Sequence, residues 1–304
     1  MHDIIVIGGG CAGMTAALYA LRNNKSALVI EKSAFGGQIT YSPKVENFPG
    51  TKQMSGVEFA DRFLDQILDQ GAEVEVETVT GVTREDNVFH VHTEEGGDYP
   101  CKAVILATGV KHRMLGLEGE YELVGNGISF CAVCDGEFYR DKTVVVAGGG
   151  NSALQEAILL SENCSEVVVV QDMDFFTGEQ RSQDVLFSRS NVRAITGTVI
   201  DSLITEGGAL KGVRVRPREG GESYEIACDG LFVAIGLIPE NGAFESVAQL
   251  DKFGYLASGE DCLTVTPGVF AAGDCRSKGL RQLTTAAADG AIAAVAACRY
   301  IDAL

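Results

Sequence analysis

The amino-acid sequence predicts an α/β chain of two three-layer β-α-β units, the second inserted into the first. Three observations point to it. An apolar run closed by a glycine turn and a helical stretch occurs at Gly8 and again, 140 residues later, at Gly148. Two more apolar runs, Ala103 to Ala107 and Val269 to Ala272, stop abruptly at small residues. The chain leaves the first unit near residue 110 and returns near Gly236-Leu237-Ile238-Pro239, which divides it into 1–110, 111–240 and 241–304. With 304 residues and 46% hydrophobic content there is apolar material for two ordinary cores.

Ile4 to Ile7 reads as the first strand, the stretch to about Arg22 as a helix, and the run ending at Glu31 as the second strand. Between strand and helix, Gly8, Gly10 and Gly13 allow a tight turn and let a pyrophosphate approach the helix N-terminus, whose free N–H groups and dipole favour an anion. Glu31 then stands where a carboxylate can accept from ribose hydroxyls. The second copy runs from Val144 to Ala147, through Gly148, Gly149, Gly150 and Ala153, along a helical stretch to about Glu162, and into Val167 to Val170. Both units are therefore of the Rossmann-like, FAD/NAD(P)-binding kind, and the glycines alone leave open which dinucleotide each takes. The Ala-rich stretch from Thr284 to Tyr300 predicts a closely packed C-terminal helix.

Charge and composition exclude several functions. Lys and Arg number 24 against 42 Asp and Glu, a net −18 that repels nucleic acid and anionic membrane surfaces. No apolar run approaches the roughly 18 residues of a membrane span. Met1-His2-Asp3 leads straight into the first strand without a basic or apolar leader, so a cytoplasmic protein is expected. The nine Cys are scattered and odd in number, unlike a disulfide framework.

One pair stands apart. Cys131-Ala132-Val133-Cys134-Asp135 places two thiols one helical turn apart, so that a thiolate can attack a disulfide and its neighbour can resolve the mixed intermediate. A zinc half-site would need two more ligands. There is no second Cys-x-x-Cys, and among His2, His90, His92 and His112 only His90 and His92 could share a face, so no metal is expected. Two buried, inert cysteines are the plainest alternative. The dinucleotide-type fold favours redox chemistry, with Asp135 placed to move a proton as the dithiol closes, or to cap the turn before Gly136.

These motifs occur together in the low-molecular-weight thioredoxin reductases, which the chain resembles over nearly its full length. The resemblance lies in Gly8 to Gly13, Gly36-Gly37-Gln38, Val45 to Gly50, Ala107-Thr108-Gly109, Cys131 to Gly136, Gly148 to Ala153, and Ala271-Ala272-Gly273-Asp274 with Arg281-Gln282. It implies a homodimeric FAD enzyme whose inserted domain carries a dithiol that alternates between flavin and a thioredoxin disulfide. By position, Glu31, Gly36, Gly37, Gln38, Asn47, Thr108, Gly109, Asp274 and Gln282 match the family's flavin contacts, and Gly273, Arg281 and Leu283 adjoin them. It also implies that Cys134 faces the flavin and Cys131 the partner protein.

The sequence departs from this family at one place. Where the family has a basic His-Arg-Arg-x-x-x-Arg segment for the 2′-phosphate of NADPH, this chain reads Val170-Gln171-Asp172-Met173-Asp174-Phe175-Phe176, and the first Arg after that strand is Arg181. A carboxylate facing that phosphate costs on the order of 1 kcal/mol or more, beyond the lost guanidinium clamp. Asp172, 19 residues after Ala153, could instead accept from the free 2′-hydroxyl of NADH. The ferredoxin-linked branch of the family offers the favoured alternative, because Phe175-Phe176 with its flanking acids resembles no nucleotide-binding pattern, and flavin chemistry permits it by accepting electrons singly or in pairs; a surface change without consequence is the third. An acidic ferredoxin would need a local basic patch on this acidic chain, for which Arg276, Lys278 and Arg281, or Arg181, Arg189 and Arg193, are candidates. The expected activity is thus thioredoxin reduction with ferredoxin as donor. Its rivals are an NADH-dependent reductase, a flavin dithiol enzyme with another partner, and a redox-sensing binding protein.

Overall fold

The computed structural model describes residues 1–42 and 45–304. Its two compact units comprise Met1–Lys111 with Ile238–Leu304, and His112–Leu237. The short strands β7 (Lys111–His112) and β16 (Leu237–Ile238) mark the two crossings along the chain. Among the described residues no helix is long and apolar enough to cross a membrane.

The first unit is built on β1 (His2–Ile7), β2 (Ala27–Glu31), β3 (Glu73–Val76), β4 (Val79–Glu85), β5 (Val88–Thr93), β6 (Asp98–Leu106) and β17 (Val269–Ala271). They form a seven-stranded sheet ordered β3-β2-β1-β6-β5-β4, with β17 paired to β6. The pairs β1–β2, β1–β6 and β6–β17 are parallel, with Ile5 opposite Leu28 and Val104. Alternation along β1 explains its run of apolar residues. Ile4 and Val6 join the core beneath α1 (Cys11–Arg22) and α6 (Leu283–Asp302), while Ile5 and Ile7 pack on the other face with Val82, Phe89 and Val91. The C-terminal helix is Ala-rich because it lies against α1: a Cβ on Gly290 would come within 2.2 Å of the Ala12 carbonyl oxygen. The amphipathic α2 (Gly56–Asp69), capped by Ser55 accepting from the Glu58 N–H, adds Phe59 and Ile67 to that core.

Asp289, the one acid in the interior of α6, is buried and accepts from Arg276, Lys278 and the Gly273 N–H. Burial alone would raise its carboxyl, but the two cations outweigh this and hold it below the ordinary value. Its contribution to stability is therefore full above the ordinary carboxylate range and is lost as pH falls through the lowered value. Asp289→Asn leaves Lys278 uncompensated and Arg276 with only the exposed Glu260 at 3.3 Å, and is expected to cost about 3–5 kcal/mol, read as a lower urea midpoint at unchanged m.

In the second unit, β8 (Ile128–Ser129), β9 (Thr143–Ala147), β10 (Glu166–Val170), β11 (Val192–Ile195) and β15 (Gly230–Val233) form a parallel sheet ordered β11-β10-β9-β15-β8. One face, with Val144, Val146, Val167 and Val169, packs against α4 (Asn151–Leu160) and α5 (Gln180–Phe187). The other, with Val145, Val168 and Leu231, is covered by the antiparallel β12 (Thr198–Glu206), β13 (Ala209–Pro217) and β14 (Tyr224–Ala227). Burial on both faces is why β9 and β10 read as unbroken Val runs. The one-turn helix α3 (Ala132–Asp135) precedes β9 and packs on α4, so closely that a Cβ on Gly136 would lie 3.3 Å from Leu160 Cδ2.

Candidate functional site

In the first unit the strand ends converge on a groove of about 460 Å³. Its lining includes Gly8, Gly10, Glu31, Gly36, Gly37, Gln38, Thr108, Gly109, Asp274, Gln282 and Leu283, eleven of the residues singled out by sequence. The glycines divide the work. A Cβ on Gly8, where φ is +110°, would meet the Ala107 carbonyl oxygen at 2.3 Å, and one on Gly13 would meet the Gly8 oxygen at 1.9 Å, so these two let strand and helix approach. A Cβ on Gly10 finds nothing closer than 3.9 Å, so its open side is a cradle. The helix α1 that starts there has no capping side chain and no acid in its first turn, leaving its N–H groups for an anion.

The remaining groups hold the groove in shape. Glu31 accepts from the Gly9 N–H at 2.7 Å with one oxygen and from the Ser33 N–H at 3.1 Å with the other. Thr108 donates to Asn241 at 2.8 Å, and buried Asn241 in turn donates to the Gly254 and Cys275 carbonyls. Asp274 has a buried Oδ1 with no partner among the described residues, and burial raises its carboxyl. Gly13, Asn47, Gly273 and Arg281 lie outside the lining but touch it or its support. Asn47 donates to Gln282, the Gly273 N–H donates to Asp289, and Arg281 donates to the Asp274 carbonyl while its guanidinium lies 4.3 Å from the centre of the Tyr255 ring.

In the second unit Cys131 and Cys134 form a disulfide across the turn of α3. Cys131 is the N-cap, and its sulfur accepts the Cys134 N–H at 3.2 Å. Ser129 fixes the approach: its hydroxyl donates to Asp135 Oδ2 at 2.6 Å and accepts the Cys131 N–H at 3.1 Å. Asp135 Oδ1 is buried without a partner among the described residues, and burial raises this carboxyl against the pull of Ser129. The seven other cysteines are free and buried. Among the described residues no three His, Cys, Asp or Glu are grouped to hold a metal; His90 and His92 instead bracket Asp98 on the surface.

At the end of β10, Gln171 is buried and donates to the Phe175 carbonyl, and Asp172 pairs with Arg218 at 3.2 Å. The segment that follows returns to the glycine turn, where Thr177 and Gly178 donate to the Gly149 carbonyl. The proposed basic patches fare differently from expectation. Arg276 and Lys278 are not a surface pair: their side chains are 1% and 4% exposed, drawn inward by Asp289, and cannot steer a partner. Arg189 and Arg193 are on the surface, paired with Glu162 and Glu166 at 3.6 and 3.4 Å.

Residues 2–290 match the family described as pyridine nucleotide-disulphide oxidoreductase. The chain belongs to that family. Within it, the chain is similar to the low-molecular-weight thioredoxin reductases. It is 39% identical to a thioredoxin reductase of Treponema pallidum, covering 100% of this chain and 98% of that one. Against a thioredoxin reductase of Listeria innocua the identity is 38%, over 100% and 95%. The crystal structure of thioredoxin reductase from Streptococcus pyogenes superposes with a TM-score of 0.94 at 36% identity, over 100% and 99%. This pyridine nucleotide-disulphide oxidoreductase is a flavoprotein enzyme with FAD as cofactor. The first unit fits that cofactor on its own observations: the open side of Gly10, the uncapped start of α1 and the unpartnered Asp274 oxygen all face or adjoin one groove.

Sequence reasoning missed three supporting residues. Ser129 lies two positions before the first cysteine, a spacing with no motif value of its own. Asn241 carries no local signal. Asp289 could have been noticed as a lone acid in an Ala-rich helix.

Proposed function

We propose that the protein is a thioredoxin reductase that moves electrons from FAD in the first unit to the Cys131–Cys134 disulfide of the second, and from the resulting dithiol to thioredoxin. The carrying observation is a Cys-x-x-Cys disulfide on a helical turn beside a carboxyl with one buried, unpartnered oxygen, in a chain whose other unit offers a flavin groove. Bound FAD supplies a carrier that can deliver an electron pair to a disulfide. The pair breaks the Cys131–Cys134 bond. The Cys131 thiolate then attacks the thioredoxin disulfide, releasing one partner sulfur and forming a mixed disulfide, which Cys134 resolves as the enzyme disulfide re-forms.

Cys131 is assigned the attack because the Cys134 N–H on its sulfur favours a thiolate there. Asp135 holds or releases the proton the sulfurs exchange, its carboxyl raised above the ordinary value by burial against the pull of Ser129. Gly10 and the start of α1 would hold the cofactor's pyrophosphate, Glu31 its ribose, and Asp274, Thr108 and Gln282 would line the rest of its groove.

The donor we assign is a ferredoxin-type iron–sulfur protein. Asp172 and Asp174 follow β10 where the family has cations, and Arg218, which reaches Asp172, is engaged by it. Arg181, Arg189 and Arg193 are the docking charges of this reading, the latter two by exchanging their surface partners Glu162 and Glu166 for carboxylates of the donor. NADH is the second reading, favoured by Asp172 at the strand end. Anaerobic mixing of oxidised enzyme with each donor, followed at the flavin band, is expected to show fast bleaching by reduced ferredoxin and none by NADPH. Rapid bleaching by NADPH refutes the donor assignment. Seven free thiols fit a reducing, cytoplasmic compartment. A homodimer belongs to the same reading and is checked by light scattering.

A further inference from the structure

The helix beneath the dithiol carries a carboxyl that the mechanism above does not use. Glu156, the sixth residue of α4, accepts the Ala132 N–H of α3, the first backbone donor after Cys131. The turn is thus held from three sides: Ser129 takes the Cys131 N–H, Cys131 sulfur takes the Cys134 N–H, and Glu156 takes the Ala132 N–H between them. A carboxylate set this close to a redox-active turn has two physical effects. It fixes the backbone that aims both sulfurs, and its charge opposes thiolate formation beside it.

We propose that Glu156 is the positioning residue of the dithiol, pinning the first turn of α3 to α4 through the Ala132 N–H and setting, by its charge, how readily the two thiols ionise. The inference rests on the dithiol function proposed above. Burial lifts the Glu156 carboxyl to about 7, the Ala132 N–H works against this, and the neighbouring Asp135 adds to it. Glu156 is therefore placed to change charge around neutral pH. Among the described residues Asp135 of α3 is the charged group facing it, with Tyr139 beyond Asp135; α5, β9 and β10, which also pack on α4, add no charge to its surroundings. Glu156 and Asp135 thus serve the same turn, one fixing its backbone at Ala132 and the other exchanging its proton.

The test uses FAD-loaded enzyme reduced anaerobically with dithionite, and iodoacetamide as the probe of the thiols. Glu156→Gln keeps an acceptor oxygen and the side-chain size but cannot carry charge. Its alkylation rate is expected to equal that of the native enzyme below about pH 6 and to exceed it about tenfold near about pH 8, because one adjacent charge moves a thiol by about one unit. Glu156→Ala should show the same pH behaviour and, in addition, about tenfold faster amide hydrogen exchange at Ala132, which Glu156→Gln does not show. Superimposable profiles for native enzyme and Glu156→Gln overturn the charge role, and unchanged Ala132 protection in Glu156→Ala overturns the pinning role. Should the variants fail to fold, the native profile decides: two inflections support the proposal and a single one refutes it. None of these readouts involves thioredoxin, so a native enzyme that alkylates as described but cannot reduce thioredoxin refutes the proposed function and not the role of Glu156.

Discussion

Replacing Cys131 by serine is expected to lower thioredoxin reduction by at least about a thousandfold, because a hydroxyl neither forms a thiolate near neutral pH nor accepts electrons from a reduced carrier. Cys134→Ser should be equally inactive in steady state but different in kind. Its remaining Cys131 can still attack, so the variant is expected to accumulate a mixed disulfide with thioredoxin, visible on a non-reducing gel, whereas Cys131→Ser should not. The flavin spectrum should survive both changes, since the cysteines belong to the second unit and the FAD groove to the first. A Cys131→Ser enzyme with native turnover removes dithiol chemistry from the account. Equal trapping by both variants reverses the roles assigned to the two sulfurs.

The second large effect concerns the first glycine turn, where two substitutions three residues apart should fail for opposite reasons. Gly10 sits in extended backbone, with φ of −79°, and its Cβ direction is open, so Gly10→Val strains nothing and is expected to fold. Its side chain fills the cradle in front of α1, and FAD affinity should fall by about a hundredfold or more, measured as cofactor retained on gel filtration. Gly13→Ala has no room at all, with its Cβ 1.9 Å from the Gly8 oxygen. It should cost on the order of 3 kcal/mol in unfolding free energy, with cofactor loss following from loss of packing. A Gly10→Val protein that binds FAD normally would show that the groove is not where the pyrophosphate lies.

Both glycines were legible as a motif, and their different tasks were not, because the task depends on what stands opposite each Cβ. Gly8 and Gly13 face the backbone of Ala107 and of the turn itself, and Gly10 faces open space, facts of tertiary approach and not of spacing. The same limit applies to charge. Arg276 and Lys278 read as surface cations because nothing local distinguishes them from Arg189 and Arg193, yet Asp289, on a helix that begins five residues after Lys278, draws both inside. Strand and helix identity fared better, since the Val runs of β9 and β10 and the Ala pattern of α6 report local burial directly. The inserted arrangement was readable because the glycine turn recurs as a whole unit. What sequence could not supply was the polar scaffolding: Ser129, Asn241 and Glu156 act on partners 2, 133 and 24 residues away, with no periodic signature.

The most direct test is an anaerobic reductive titration of the FAD-loaded chain, native against Cys131→Ser, followed by addition of oxidised thioredoxin. The native enzyme should take up one electron pair more than the variant before the flavin band is fully bleached, and oxidised thioredoxin should restore its colour alone. Equal uptake by the two, colour that does not return, or a chain that cannot be loaded with FAD would contradict the transfer from flavin through Cys131 and Cys134 to a partner protein.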